Sequence, residues 1–290
     1  MSTLTIITPT FNRANLIKEL FYSLEKQSNK DFEWLVVDDG STDNTEELFK
    51  KLINSASFEI RYLKKSNGGK HTALNYGIRE IESELTLIVD SDDVLTEDAV
   101  DSILNIHTKY KNDNNIGSYT FLKGTDLHNP VISIEGDEFV DNYIKYRIKN
   151  DRPGDMAEVF KTKYLKRFPF PEFEGEKFIS EDVIWIEIGK VSDSLYVNKI
   201  IYICQYLDGG LTANDKPMKF SSPCGSMMRG IRLMSVECGL KANIKGSIIY
   251  NVYKKEAGEI KALPVLDIRE RLLTLATSIF TSYFYRKWHA

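Results

Sequence analysis

Apolar positions in the first part of the chain switch between runs and helical spacing. Residues 4–8 form a short apolar run that ends at Pro9 and reads as a buried strand. Leu16, Leu20 and Leu24 then recur at helical intervals. Residues 32–37 are a second strand, stopped by the turn signal Asp38-Asp39-Gly40. Ser41, Thr42 and Asp43 are N-cap residue types ahead of a helix bearing Leu48, Phe49, Leu52 and Ile53. Residues 60–63 read as a third strand, and Asn67-Gly68-Gly69 interrupts the chain before a helix over about residues 70–81. Residues 85–89 are a fourth strand with Asp90-Ser91-Asp92-Asp93 at its end, and Thr96 is placed to cap a helix with Val100, Ile103 and Leu104 on one face. This alternation predicts right-handed βαβ units and a parallel sheet covered by helices on both faces.

The middle is less regular. Residues 117–122 and 156–160 read as strands, and 168–173 (FPFPEF) as an aromatic, proline-rich loop. Ser180 is placed to cap a helix that starts with Glu181 and Asp182, carboxylates that a helix N-terminus favours. Residues 194–206 read as a late strand, and from Met218 the pattern is helical to the end.

Composition narrows the classes. With 42% hydrophobic and 28% charged residues, the 290-residue chain can build a packed core, which excludes disorder throughout. No fixed-period repeat is visible, which excludes a solenoid or propeller. Cys204, Cys224 and Cys238 fit neither a disulfide framework nor a metal knuckle, so a reducing compartment is expected. The stretch LTIITPTF is too short, and lacks a basic lead, for a signal peptide or membrane span, so a cytoplasmic protein is expected. Residues 218–290 carry 12 Lys and Arg against 5 Asp and Glu, while the rest is acidic. That asymmetry argues against nucleic-acid binding by the body and leaves an anionic surface open to the tail. The terminal LLTLATSIFTSYFYRKWHA fits either packing, including a homodimer, or peripheral contact with a bilayer.

Open α/β sheets bind ligands beyond the carboxyl ends of their strands. Thr8 and Asn12 follow the first strand, Asp38 and Asp39 the second, Asn67 and Lys70 the third, Asp90 and Asp92 the fourth. Each cluster alone is an ordinary turn, but four neighbouring strand ends describe one crevice. Asp-x-Asp offers two carboxylates to Mg²⁺ or Mn²⁺ and leaves coordination positions for diphosphate oxygens. Lys70, at a helix start beside two glycines, adds charge for a phosphate. A rival reading is a haloacid-dehalogenase-type phosphatase, because Asp90, Asp92 and Val94 satisfy D-x-D-x-[TV]. Against it, the motif ends the fourth strand rather than the first, and Gly154-Asp155 does not follow an apolar strand. No GxGxxG follows the first strand, and no Ser-His-Asp or Cys-His arrangement stands out.

Taken together, IITPTFNR, LVVDDGSTDNT, NGGKHTALNYG, LIVDSDD and SED resemble the family-2 inverting glycosyltransferases of the GT-A fold, over about residues 4–212. The resemblance implies an α/β, Rossmann-like, mostly parallel sheet in a catalytic domain over residues 1–215, with a nucleotide-binding half (1–115) and an acceptor half (116–215). A helical extension over 216–290 follows. It places Thr8, Phe11 and Asp39 at the nucleotide base, with Asp39 accepting from a uracil-like edge. Asn67 and Lys70 line base, ribose or diphosphate; Asp90, with Ser91 beside it, lies toward the ribose; Asp92, helped by Asp90, holds Mn²⁺ or Mg²⁺. Asp182 matches the catalytic base and Glu181 is its competitor. Phe173, Phe178 and Trp185 nearby predict a partly apolar setting that raises the basicity of that carboxylate. Residues 206–212 resemble a late loop that closes over the donor. The implied reaction moves a sugar from a UDP-linked donor to a glycan or lipid-linked hydroxyl, in building a surface polysaccharide at the inner membrane face. A catalytically inactive homologue acting as a scaffold is the alternative from another class.

Overall fold

The computed structural model describes residues 2–204, 215–257 and 263–289. The chain forms two compact units, one drawn from Met1–Asn142, Pro153–Pro169 and Ser192–Tyr206, the other from Tyr143–Arg152, Phe170–Val191 and Leu207–Ala290.

The first unit is built on one sheet: β1 (Leu4–Thr10), β2 (Phe32–Asp38), β3 (Glu59–Lys64), β4 (Leu85–Ile88), β5 (Val94–Leu95), β6 (Ile116–Gly124), β7 (Glu138–Asp141), β8 (Met156–Lys161) and β9 (Asp193–Ile203). The order is β3-β2-β1-β4-β8-β6-β9-β5, with β7 also on β9. The first four strands are mutually parallel, as the alternating pattern predicts. Beyond them β8 runs antiparallel to β4 and β6, while β6 and β9 are parallel. Helices α1 (Ile17–Glu25), α2 (Thr45–Ser55), α3 (Lys70–Glu80), α4 (Ala99–Tyr110) and α5 (Thr162–Arg167) complete the unit.

Strand periodicity sorts the core. Leu4, Ile6, Trp34 and Val36 join Ile17, Leu20, Phe49 and Ile103 on one face. Ile7, Leu35 and Val37 turn the other way and meet α3 at Gly77. Both faces are therefore covered, which is why β1 and β2 are buried along their whole length.

Two local expectations change in three dimensions. β1 continues through Pro9, because β4 pairs only with Leu4–Ile7 and the ladder needs no proline N–H beyond that point. Thr96 is not the cap of α4; Asp98 is, and Thr96 Oγ1 donates to its Oδ1 at 2.9 Å. The start of α4 is held from outside by Gln27, which accepts from Val100 N and donates to Thr96 O.

The second unit holds a π-helical turn (Ile144–Lys149), α6 (Asp182–Gly189), α7 (Asp215–Phe220), α8 (Pro223–Leu233), α9 (Gly239–Tyr253), α10 (Ile268–Thr277) and α11 (Thr281–His289). Its core gathers Ile144, Ile186, Met227, Leu233, Ile249 and Tyr253. Pro223 opens α8 without an N–H to satisfy, and the Glu176 carboxylate accepts from the next two, Cys224 N at 2.7 Å and Gly225 N at 2.8 Å. A capping box joins Asp267 and Glu270 at the start of α10. Among the described residues no helix is long and apolar enough to cross a membrane.

Helices α8 and α9 meet backbone to backbone. A Cβ on Gly246 would lie 2.5 Å from the Gly230 carbonyl oxygen and 3.1 Å from Met234 N, neither of which can move aside as a side chain would. Alanine at an open helical position is stabilising relative to glycine. Gly246→Ala is instead expected to lower the unfolding free energy by about 1–3 kcal/mol, as overpacking does, read as a lower denaturant midpoint.

Candidate active site

Because β1 to β4 are parallel and in register, their carboxyl ends share one edge of the sheet. The first group to settle there is Asp39, directly after β2 and only 3% exposed. Its Oδ1 accepts from Lys65 Nζ at 2.8 Å and Gly68 N at 2.9 Å. Its Oδ2 accepts from Asn67 Nδ2 at 3.1 Å and Gly69 N at 2.7 Å. Four donors fill the positions a carboxylate offers, so Asp39 shapes the loop between β3 and α3. A base edge bonding to Asp39 has to share or displace one of them. Gly40 takes φ +84°, and a Cβ there would come within 2.9 Å of Asn67 N. Asp38 is structural: it accepts from Ser41 N at 2.7 Å and from the Tyr62 hydroxyl. Burial, and then that bond to Asp38, push the Tyr62 hydroxyl well above its usual pKa, which keeps it a donor. Asn12, at φ 53°, uses Oδ1 to accept from Thr42 N and so ties the end of β1 to the turn after β2.

The acidic turn after β4 is sorted by a tyrosine. Asp90 N donates to Tyr202 Oη at 3.0 Å, and the same hydroxyl donates to Asp93 Oδ2 at 2.8 Å. Lys123 Nζ stands 4.1 Å over the Tyr202 ring. Asp93 is thereby drawn inward and Ser91 is buried, while Asp90 and Asp92 keep about a third and a quarter of their side chains exposed. Asp90 Oδ1 is 2.5 Å from Lys70 Nζ, and Asp92 Oδ2 is 3.6 Å from Arg13 Nη1. Burial works to raise the Asp90 carboxyl, but Lys70, Lys123 and Arg13 outweigh it and hold it below the usual carboxylate range. Thr8 is fully buried and its hydroxyl accepts from Trp34 Nε1 at 2.9 Å, so its side chain serves the core. Phe11 is 44% exposed at the same strand end.

Glu181 and Asp182 belong to the second unit. Glu181, rather than the expected Ser180, is the N-cap of α6 and Asp182 its first residue; no side chain bonds the cap, and Ser180 O accepts from Val183 N. Arg229 of α8 donates through Nε to both Asp182 oxygens, at 3.0 and 2.7 Å. The apolar setting expected from the nearby aromatics is therefore not what Asp182 meets: Phe170 and Trp185 pack on each other, and an arginine holds the carboxylate. The predicted closing loop over residues 206–212 lies outside the described residues.

Of the residues named from sequence, the fold brings Asp39 to Asn67 and Lys70 to Asp90. Sequence reasoning missed Arg13, Lys65, Lys123, Tyr202 and Arg229. Arg13 and Lys65 sit in strand-end loops, where the same rule would have found them. Tyr202 and Arg229 come from distant elements and carry no local signal.

A family profile described as "Glycosyl transferase family 2" matches residues 5–172. The chain is 26% identical over 203 residues to the glycosyltransferase GlyA of Streptococcus pneumoniae, covering 69% of this chain and 28% of GlyA. It is 35% identical over 102 residues to the poly(ribitol-phosphate) beta-N-acetylglucosaminyltransferase TarS of Staphylococcus aureus, covering 34% of this chain and 18% of TarS. The chain spans between 16% and 28% of the length of the first six curated relatives. Among solved structures, a TarS fragment in complex with UDP-GlcNAc matches at TM-score 0.63 and 20% identity, over 88% of this chain and 72% of the fragment. The mannosyltransferase PcManGT of Pyrobaculum calidifontis, in complex with GDP-Man and Mn²⁺, matches at TM-score 0.60 and 17% identity, over 99% and 82% of the two chains. At those identities the likeness establishes the fold, an α/β GT-A fold with helices at its C-terminal end.

Tyr202→Phe removes the hydroxyl that links the Asp90 amide to Asp93, and is expected to lower stability by about 1–3 kcal/mol in denaturant unfolding. The Asp90 carboxyl adds a pH dependence of known sign. Its folded value is depressed, so its contribution is complete above the ordinary carboxylate pKa and is lost as pH falls through the lower folded value. In acid unfolding series, the stability gap between wild type and Asp90→Asn should close only on that acidic side.

Proposed function

The chain belongs to glycosyl transferase family 2, and from that membership we propose that it moves a sugar from a UDP-linked donor to a glycan or lipid-linked hydroxyl with the help of a divalent cation. The observation that carries this reading is the turn after β4, where Tyr202 withdraws Asp93 and leaves Asp90 and Asp92 partly exposed beside Lys70 and Arg13. The UDP-GlcNAc held by the TarS fragment supports the donor class, and the Mn²⁺ in PcManGT supports the metal.

The donor set fits the cation. Mg²⁺ and Mn²⁺ take one or two carboxylates and complete their shell with phosphate oxygens and water, so Asp92 and Asp90 suffice without a protein cage. Bound there, the cation supplies positive charge to the departing diphosphate. Lys70 and Arg13 add fixed positive charge to the same place, where negative charge grows as the glycosidic bond breaks. In this reading the exposed Phe11 ring offers a stacking face for the base, Asp39, Asn67 and Ser91 build the loops around base and ribose, and Thr8 contributes from within β1. Asp182 takes the proton of the attacking hydroxyl, Arg229 fixes the direction of its oxygens, and Glu181 is the other candidate. A single displacement inverts the anomeric centre and needs no nucleophilic side chain.

Calorimetry with UDP, with Mn²⁺ and again with EDTA, tests the donor half. Binding should require the metal and should vanish in Asp92→Ala; unchanged binding would remove Asp92 from the metal site. Asp182→Asn should keep UDP affinity and reduce sugar transfer by about 10²–10⁴-fold, the range for a lost general base. Near-normal transfer in that variant would move the role to Glu181, and UDP binding without turnover in the wild type would favour an inactive scaffold.

The location of the acceptor belongs to the same proposal, which puts the enzyme at the cytoplasmic face of a membrane, on a surface polymer. TarS, named for a poly(ribitol-phosphate) acceptor, supports a polymeric substrate. Ile268, Leu272, Leu275 and Ile279 are each more than 60% exposed along the C-terminal helices, and Arg286 and Lys287 follow in the last turn. An exposed apolar row with cations beside it suits an anionic bilayer surface. The protein should cosediment with phosphatidylglycerol vesicles, and Leu272→Asp with Ile279→Asp should release it. A dimer in solution that ignores vesicles would assign the row to a second copy.

A further inference from the structure

The second unit contains a cavity of about 210 Å³. Its wall carries Lys216, Lys219, Arg229 and Lys245, and among the described residues that line it there is no aspartate or glutamate. Tyr253 and Trp288, stacked with ring centroids 6.1 Å apart, form an apolar side, and the hydroxyl-bearing Ser180 and Ser226 also line it. Three helices, α7, α8 and α9, converge to place the four cations there.

Asp182 balances Arg229, and the lysines of the wall add a positive field that an anion entering the cavity would meet. Ammonium and guanidinium groups favour a phosphate in particular, since each supplies charge-assisted N–H donors to its oxygens. The volume is below the roughly 300 Å³ of drug-sized pockets, so it holds a phosphate with a small polyol or sugar fragment rather than a whole nucleotide.

The position adds meaning to the charge. Arg229 belongs to the cavity wall and, through Nε, holds both oxygens of Asp182; Ser180, two residues before Asp182, is also in the wall. A phosphate seated against these residues would therefore lie next to the carboxylate assigned to deprotonate the acceptor.

We propose that this cavity binds the phosphate of an acceptor that is itself a phosphate ester, and so selects anionic acceptors. The assignment deepens the reading of Asp182 as the base and rests on it for the acceptor role, but phosphate binding in the cavity stands or falls separately. The phosphate has two chemical sources, a polyol phosphate in solution or polymer and a lipid headgroup.

Calorimetry on the full chain, saturated with UDP and Mn²⁺, decides the matter with sn-glycerol 3-phosphate as probe and glycerol as uncharged control. The phosphate ester should bind and glycerol should not. Lys219→Gln with Lys245→Gln should weaken the ester by about tenfold or more, as loss of charge-assisted bonds implies, while UDP affinity stays unchanged. Lys219→Arg with Lys245→Arg should restore it. Absence of binding to the wild type, or affinity that survives the double glutamine variant, overturns the proposal. So does a probe that binds only without UDP, since it would then occupy the donor site. A wild type that fails to bind UDP would sink the donor reading, yet the ester titration would still decide the cavity. Short-chain phosphatidic acid separates the sources: tighter binding than glycerol 3-phosphate marks a lipid headgroup, and equal binding marks a polyol phosphate.

Discussion

A buried carboxylate must be saturated with hydrogen bonds, and Asp39 meets that requirement by gathering the loop that follows β3. Lys65, Asn67, Gly68 and Gly69 all donate to it, so the entrance to α3 is determined by a residue at the end of β2. Lys70, the first residue of α3, follows directly and reaches Asp90 at the end of β4. One acidic side chain thus sets the position of the cation that holds the next. Gly40 is part of the same constraint, since any side chain there would press on Asn67 N.

The acidic turn shows how identical residues acquire different duties. Asp90, Asp92 and Asp93 lie within four positions, and all are carboxylates of equal intrinsic chemistry. Tyr202 separates them by engaging Asp93 and the Asp90 amide. Asp90 and Asp92 then face Lys70 and Arg13, at a strand end where an α/β sheet offers its ligands a site. Those two cations balance the charge of the pair.

In the second unit the organising element is the close contact of α8 and α9 at Gly230 and Gly246. It brings Arg229 and Lys245 to one cavity, and Arg229 in turn fixes Asp182. The carboxylate is held by an ion pair instead of by aromatic burial. Its orientation, more than its desolvation, is what the structure supplies.

Local sequence specifies the four parallel strands, the helices between them and the strand ends that carry Asp39, Asn67, Lys70, Asp90 and Asp92. Apolar period and turn residues are local signals, and the rule that ligands gather at carboxyl ends of parallel strands turns them into a crevice. Family membership was legible too, because VVDDGSTD and DSDD are contiguous strings. The short strands β5 and β7 escaped, being two and four residues long and defined by their pairing with the distant β9. The direction of the Thr8 hydroxyl, inward to Trp34, is set by strand register, since a threonine on a strand faces whichever side the register dictates. The pairing of Tyr202 with Asp93 and of Arg229 with Asp182 belonged wholly to the tertiary structure. Those partners lie 109 and 47 residues apart, and no local propensity encodes which distant side chain a buried carboxylate will find.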